Sequence, residues 1–77
     1  MIIFSSHSLL KLKQRDISSQ LVKKALKLPD HQFSSYSDRK IVYKKFNNLY
    51  LRVIYKEKRN DIFVITQHWA KRIKEKS

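Results

Sequence analysis

Residues Arg39–Lys56 read RKIVYKKFNNLYLRVIYK, two runs rich in β-branched and aromatic side chains on either side of Asn47-Asn48. Asparagine tolerates the positive φ that a two-residue hairpin turn demands, so this stretch predicts a tight hairpin around which the rest of the chain must be arranged. The register follows from the turn. Phe46/Leu49, Lys44/Leu51, Val42/Val53 and Lys40/Tyr55 pair on one face, and Lys45/Tyr50, Tyr43/Arg52, Ile41/Ile54 and Arg39/Lys56 on the other. The first face is mostly apolar, with lysines whose long stems can run to the sheet margin, and is expected to face the core. The second gathers Arg39, Tyr43, Lys45, Tyr50, Arg52 and Lys56, cationic and aromatic together. That mixture suits phosphates and bases, although an ordinary solvated sheet face carries the same residue types.

Upstream, Met1–Phe4 reads as a short edge strand, and Ser5 or Ser6 as the N-cap of a helix running to about Gln14. His7, Lys11 and Arg15 recur every four residues and form one polar stripe along it, provided the helix reaches Arg15; the alternative is a solvated face with an incidental histidine. Asp16 and Ile17 break the pattern. Ser18 or Ser19 then caps a second helix whose apolar residues Leu21, Val22, Ala25, Leu26 and Leu28 recur at helical spacing, and Pro29 closes it by pushing Leu28 out of the helical region. Asp30–Asp38 is polar and turn-prone, but Phe33 and Tyr36 suggest a frayed strand or a loop draped on the sheet.

Beyond the hairpin, Glu57–Asp61 reads as a charged turn and Ile62–His68 as an inner strand, since IFVIT is apolar on both faces. Phe63 and Ile65 are expected to point inward, which places Val64, Thr66 and His68 on the face of Tyr43 and Arg52. Trp69–Ser77 is read as a short basic helix anchored by Trp69, with Ile73 as a second contact. The predicted fold is a single α+β domain over residues 1–77, with two N-terminal helices packed on one face of a curved antiparallel sheet of three to four strands.

Eighteen Lys+Arg against six Asp+Glu give a formal charge of +12. Fold stability does not require such a density and self-repulsion opposes it, so an anionic partner is implied, with nucleic acid first among candidates. The 42% of apolar residues suffice for one core, and the absence of cysteine removes disulfides and thiolate metal sites while permitting a reducing cytoplasm. No apolar run approaches a membrane span, and MIIFSSH is too short for a signal-peptide core. A soluble cytoplasmic protein without a membrane partner is expected.

No glycine means no glycine-rich phosphate loop. His7, His31 and His68 lack the spacing of a metal site, and the carboxylates Asp16, Asp30, Asp38, Glu57, Asp61 and Glu75 lie mostly in turns or the tail, whereas a two-metal nuclease needs clustered acids. No metal or other cofactor is expected. The chemistry left open is attack on RNA by its own 2′-hydroxyl, which needs a proton acceptor, cations around the phosphate and a donor for the leaving 5′-oxygen. His7 or His68 can serve as base or acid, Arg15, Arg39 and Arg52 can hold the non-bridging oxygens, and Tyr43 and Tyr50 offer surfaces for stacking.

The order helix, helix, antiparallel strands, carried by HSLLKLKQRDIS, VKKALKLPD and RKIVYKKFNNLYLRVIYKEKRNDIFVIT, resembles a small bacterial family of uncharacterised domains. Its members open with His-x3-Arg-x3-Arg-x-Ile-Ser, continue through a helix ending in Pro-Asp, and finish with a hairpin running into an Ile/Val-Val-Thr strand. That family looks like a relative of the RelE and BrnT toxins, so the resemblance implies a RelE-like fold and a ribonuclease, acting on free RNA or ribosome-bound mRNA and neutralised by an acidic antitoxin. It points at His7, Lys11 in place of an arginine, Arg15, Arg39 and Thr66. With the sheet face added, the candidate catalytic residues are His7, Arg15, Arg52 and His68. The candidate substrate-binding residues are Lys11, Arg39, Tyr43, Lys45, Tyr50 and Thr66. Glycine is frequent in the family where Asp16 and Asp38 stand here, and Asp16 implies a differently shaped corner between the helices. A non-catalytic RNA- or DNA-binding module and an adaptor for an acidic protein are the competing readings.

Overall fold

The hairpin forms with the register its turn dictates. In a computed structural model describing residues 1–75, β3 (Arg39–Phe46) and β4 (Leu49–Lys58) pair antiparallel from Phe46↔Leu49 to Arg39↔Lys56. Asn47 takes the left-handed conformation, φ 58°, that closes the turn. Val42, Leu51, Val53 and Tyr55 on one face are buried with Ile17, Val22, Ala25 and Val64. Each fully buried valine or leucine among them contributes roughly 1.5–3 kcal/mol of transfer free energy, which is why this face, and not the cationic one, receives the helices.

The helices begin on serines that cap them. Ser5 Oγ accepts from the Ser8 backbone N–H at the start of α1 (Ser6–Gln14), and Ser18 Oγ accepts from the Gln20 N–H at the start of α2 (Ser19–Lys27). Between them Asp16 stands at φ 53°, and before β3 Asp38 stands at φ 59°. Both aspartates therefore hold the backbone shape that glycine favours. The reshaped interhelix corner expected from Asp16 is not needed.

The sheet has five strands, in the order β1-β5-β4-β3-β2, rather than three to four, and it is mixed rather than antiparallel. The N-terminal segment is strand β1 (Ile2–Phe4), paired in parallel with Ile62–Val64, and β2 (His31–Ser34) pairs antiparallel with β3. The two helices carry the chain over one face from the β1 edge to the β2 edge, and β3, β4 and β5 (Asp61–Ala70) bring it back. Both outer strands lie where the sequence suggests one, within Met1–Phe4 and Asp30–Asp38; what local pattern leaves open is their pairing, because a short segment gains its partner only from the finished sheet.

Two expectations for the last strand are corrected. A bulge interrupts the β4–β5 ladder, with Tyr55 opposite Val64 but Ile54 opposite Thr66, so that Ile65 is the extra residue. Val64 consequently lies in the core under the helices and Phe63 is 36% exposed, the reverse of the expected inward Phe63. Past the bulge, Thr66 and His68 do share the face of Ile54 and Arg52. The second correction concerns the tail. Trp69 and Ala70 continue β5 instead of starting a helix, and no helix follows among the described residues; Lys76 and Ser77 of that expected helix lie outside them. Trp69 packs edge-on against Phe46, centroids 6.3 Å apart, while Ile73 packs against Ile41, Tyr43 and Ala70 on the opposite face. No helix among the described residues is long and apolar enough to cross a membrane.

Candidate functional site

Strand pairing builds one row of side chains across the face that the helices leave uncovered. His31 lies opposite Tyr43, Tyr43 opposite Arg52, and Arg52 opposite His68, so β2, β3, β4 and β5 each supply one member. Alternation along the strands puts Lys45, Tyr50 and Thr66 on the same face.

The centre of the row is a polar cluster. Arg52 Nε donates to the Tyr43 hydroxyl at 3.0 Å and to Glu75 Oε1 at 2.8 Å, and an Arg52 terminal nitrogen also donates to Glu75 Oε1. The Tyr43 hydroxyl donates to Glu75 Oε2 and accepts the Lys74 backbone N–H at 3.2 Å. Burial pushes the Glu75 carboxyl up, but the bonds from Arg52 and Tyr43 outweigh it and hold the group below the usual carboxylate range. Burial alone would lower the Arg52 pKa; the bonds to Glu75 and Tyr43 reverse the direction and raise it. The Tyr43 phenol is raised, by burial first and then by its bond to Glu75.

His68 is half-buried beside this cluster. Its pKa is lowered from the ordinary 6.5, first by burial and then by the positive charges of Arg52, Arg15 and Lys74, with Glu75 opposing. The imidazole is therefore neutral near pH 7 and able to accept a proton next to two guanidinium groups.

Arg15 comes to the row from α1. As the C-cap of that helix it donates from Nη1 to the Gln67 carbonyl at 2.7 Å. Gln67 is fully buried on the helix side, where Ser8 Oγ donates to its Oε1 at 2.6 Å and its Nε2 donates to the Ser8 carbonyl at 3.0 Å. This clamp fixes α1 against β5 and thereby sets the position of Arg15. Neither Ser8 nor Gln67 was singled out from the sequence. A polar residue on the inward parity of a strand, as the expected facing of Thr66 and His68 already makes Gln67, together with a serine on the inward side of a helix, is the signal that points to such a pair.

The other candidates lie further out. Lys11 Nζ donates to Gln14 Oε1 at 3.0 Å, and His7 is exposed on the opening turn of α1, so only Arg15 of the helical stripe reaches the sheet through a hydrogen bond among the described residues. Lys45 is exposed, with its ammonium 5.8 Å from the Tyr50 ring centroid. Tyr50 packs edge-on to Tyr43 and His31 at 6.0 and 6.1 Å. Tyr43 itself has no exposed surface, so of the two tyrosines expected to stack on bases it contributes its hydroxyl and not its ring. Arg39 is four residues along β3 from Tyr43, roughly 13 Å at strand rise. It is separate from the row, with its guanidinium 6.0 Å from the Tyr36 ring centroid, and it lines a recess of about 330 Å³ with Ser34, Ser35, Asp38, Lys40 and Glu57. Its Nε is buried without a hydrogen-bond partner among the described residues.

Among the described residues no three His, Cys, Asp or Glu side chains cluster as a metal ligand set. What the row offers chemically is a neutral imidazole, a partly buried guanidinium backed by a phenol, and a second guanidinium from the helix. No curated protein and no solved structure matches the chain. Residues 4–67, which hold both helices, the hairpin and β5 as far as Gln67, match the family described as Domain of unknown function (DUF4258), and the chain belongs to that family.

Proposed function

We propose that this chain is a RelE-like toxin of a toxin–antitoxin pair, a metal-independent endoribonuclease that works in the cytoplasm on RNA, free or ribosome-bound. The observation that carries the reading is His68 beside Arg52 on adjacent strands, with Arg15 near enough to depress the imidazole further. His68 takes the proton of a ribose 2′-hydroxyl, the 2′-oxygen bonds to the adjacent phosphorus, and the phosphorus–O5′ bond breaks. The departing oxygen takes a proton from His7 or from water. Arg52 and Arg15 stabilise the negative charge that builds on the non-bridging oxygens. Lys11, Lys45, Tyr50 and Thr66 line the approach of the strand, and Arg39 grips a more distant phosphate.

Cleavage of a mixed-sequence RNA in the presence of a chelator is the direct test. His68→Ala and Arg52→Gln are each expected to lower the rate by about 10²–10⁴-fold, the range for loss of an acid–base or charge-stabilising group. Undiminished cleavage by either folded variant overturns the assignment. The formal charge of +12 equally supports a module that binds nucleic acid without cutting it. That module retains RNA in a salt-sensitive manner and yields no product. Growth arrest on induction, relieved by an acidic protein encoded next to it, identifies the antitoxin.

A further inference from the structure

The row does not lie open to solvent at its centre. After Ala70 the chain leaves β5 and lays residues 71–75 over Tyr43 and Arg52. Both side chains of the Arg52–Glu75 pair are only 17% exposed. One Glu75 oxygen is held by the Arg52 fork and the other by the Tyr43 hydroxyl, an arrangement that uses a planar guanidinium and a phenol as an oxyanion seat. Carboxylate and phosphate oxygens are recognised by the same fork, so a seat that holds Glu75 has the donors a phosphoryl group requires.

We propose that residues 71–75 are a latch: the Glu75 carboxylate fills a phosphate seat formed by Arg52 and Tyr43, and phosphate enters only when the tail lifts. The inference rests on the ribonuclease reading for what the seat is used for, not for its existence. Among the described residues, the latch's anchors besides Glu75 are the Ile73 side chain, packed against the cluster of Ile41, Tyr43 and Ala70, and the Lys74 N–H on the Tyr43 hydroxyl. Lys71, Arg72 and Lys74 are exposed cations beside a row that already holds Arg52 and Arg15. Like charges therefore push the tail away while one carboxylate holds it down, and a polyanion arriving at this face relieves the repulsion as it displaces the carboxylate. The latch thus favours an extended phosphate chain over an isolated anion.

The test uses the full chain and inorganic phosphate, followed by NMR at the Arg52 Nε–H and the His68 ring. Glu75→Gln is expected to bring saturation at a phosphate concentration at least tenfold below that of the natural protein, and the gain is expected to vanish when Arg52→Gln is added. Asp61→Asn, which removes one negative charge at the far end of the sheet, is the control for net charge. Equal phosphate affinity with and without Glu75→Gln, a gain that survives Arg52→Gln, or the same gain from Asp61→Asn overturns the latch. RNA separates the two readings. If Glu75→Gln gains phosphate while neither protein cuts RNA, the latch stands and the ribonuclease falls; if RNA is cut but phosphate affinity is unmoved, the reverse holds.

Discussion

The surroundings of His68 leave a mark on stability as well as on its charge state. Its folded-state pKa lies below the ordinary 6.5 because burial and the charges of Arg52, Arg15 and Lys74 disfavour the imidazolium more than Glu75 favours it. Between 6.5 and the lower folded value, the unfolded chain takes a proton that the folded chain refuses, so unfolding becomes easier as pH falls through that window. Replacing His68 by Gln is expected to flatten the decline in urea midpoint as pH falls below 6.5, measured as a difference from the natural protein. An unchanged slope would remove the electrostatic argument for a neutral imidazole. The Glu75 carboxyl contributes in a separate window. Its pKa is depressed, so its contribution is present above the ordinary 4.5 and is lost as pH drops further.

At the scale of elements, the corners decide which helix and strand faces meet. Asp16 at φ 53° turns α1 into α2, and its side chain is exposed. Glycine there is expected to be neutral or to stabilise by up to about 1 kcal/mol, whereas Asp16→Val, β-branched in a left-handed conformation, is expected to cost about 1–2 kcal/mol in a denaturant titration. Element by element, the sequence was legible where a local rule acted without interference. Asn47-Asn48 fixed the hairpin register because turn and alternation agree, and Ser5, Ser18 and Pro29 marked the helix limits because caps and proline act within one turn. The facing of β5 was half legible. Thr66 and His68 were placed with Arg52, but the bulged Ile65 shifts parity once inside the strand, and nothing in IFVIT announces where. Arg52 and His68 were thus legible as neighbours, whereas the approach of Arg15 to the Gln67 carbonyl, the Ser8–Gln67 clamp and the seating of Glu75 depend on tertiary packing that no local rule encodes.

For the molecule as a whole, the +12 charge is spread over a particle with a Cα radius of gyration of 11.5 Å. That dimension is close to one screening length in about 0.1 M salt, so most cation pairs still repel one another at low ionic strength. Melting temperature is expected to rise as NaCl goes from about 0.02 to about 0.5 M, even though the Lys40–Glu57 and Lys44–Asp30 pairs weaken over the same range. A fall would mean that these surface pairs outweigh the repulsion.

The parallel pairing of β1 with β5 joins Ile2 to Ile62 and Phe4 to Val64 across almost the whole chain. The β3–β4 hairpin can zip from its own turn, and the helices can nucleate from their caps, but β1 has no neighbour until β5 has been laid down. Closing so wide a loop costs more conformational entropy than zipping the hairpin, so this pairing leans on the finished sheet far more than on anything nearby in the chain.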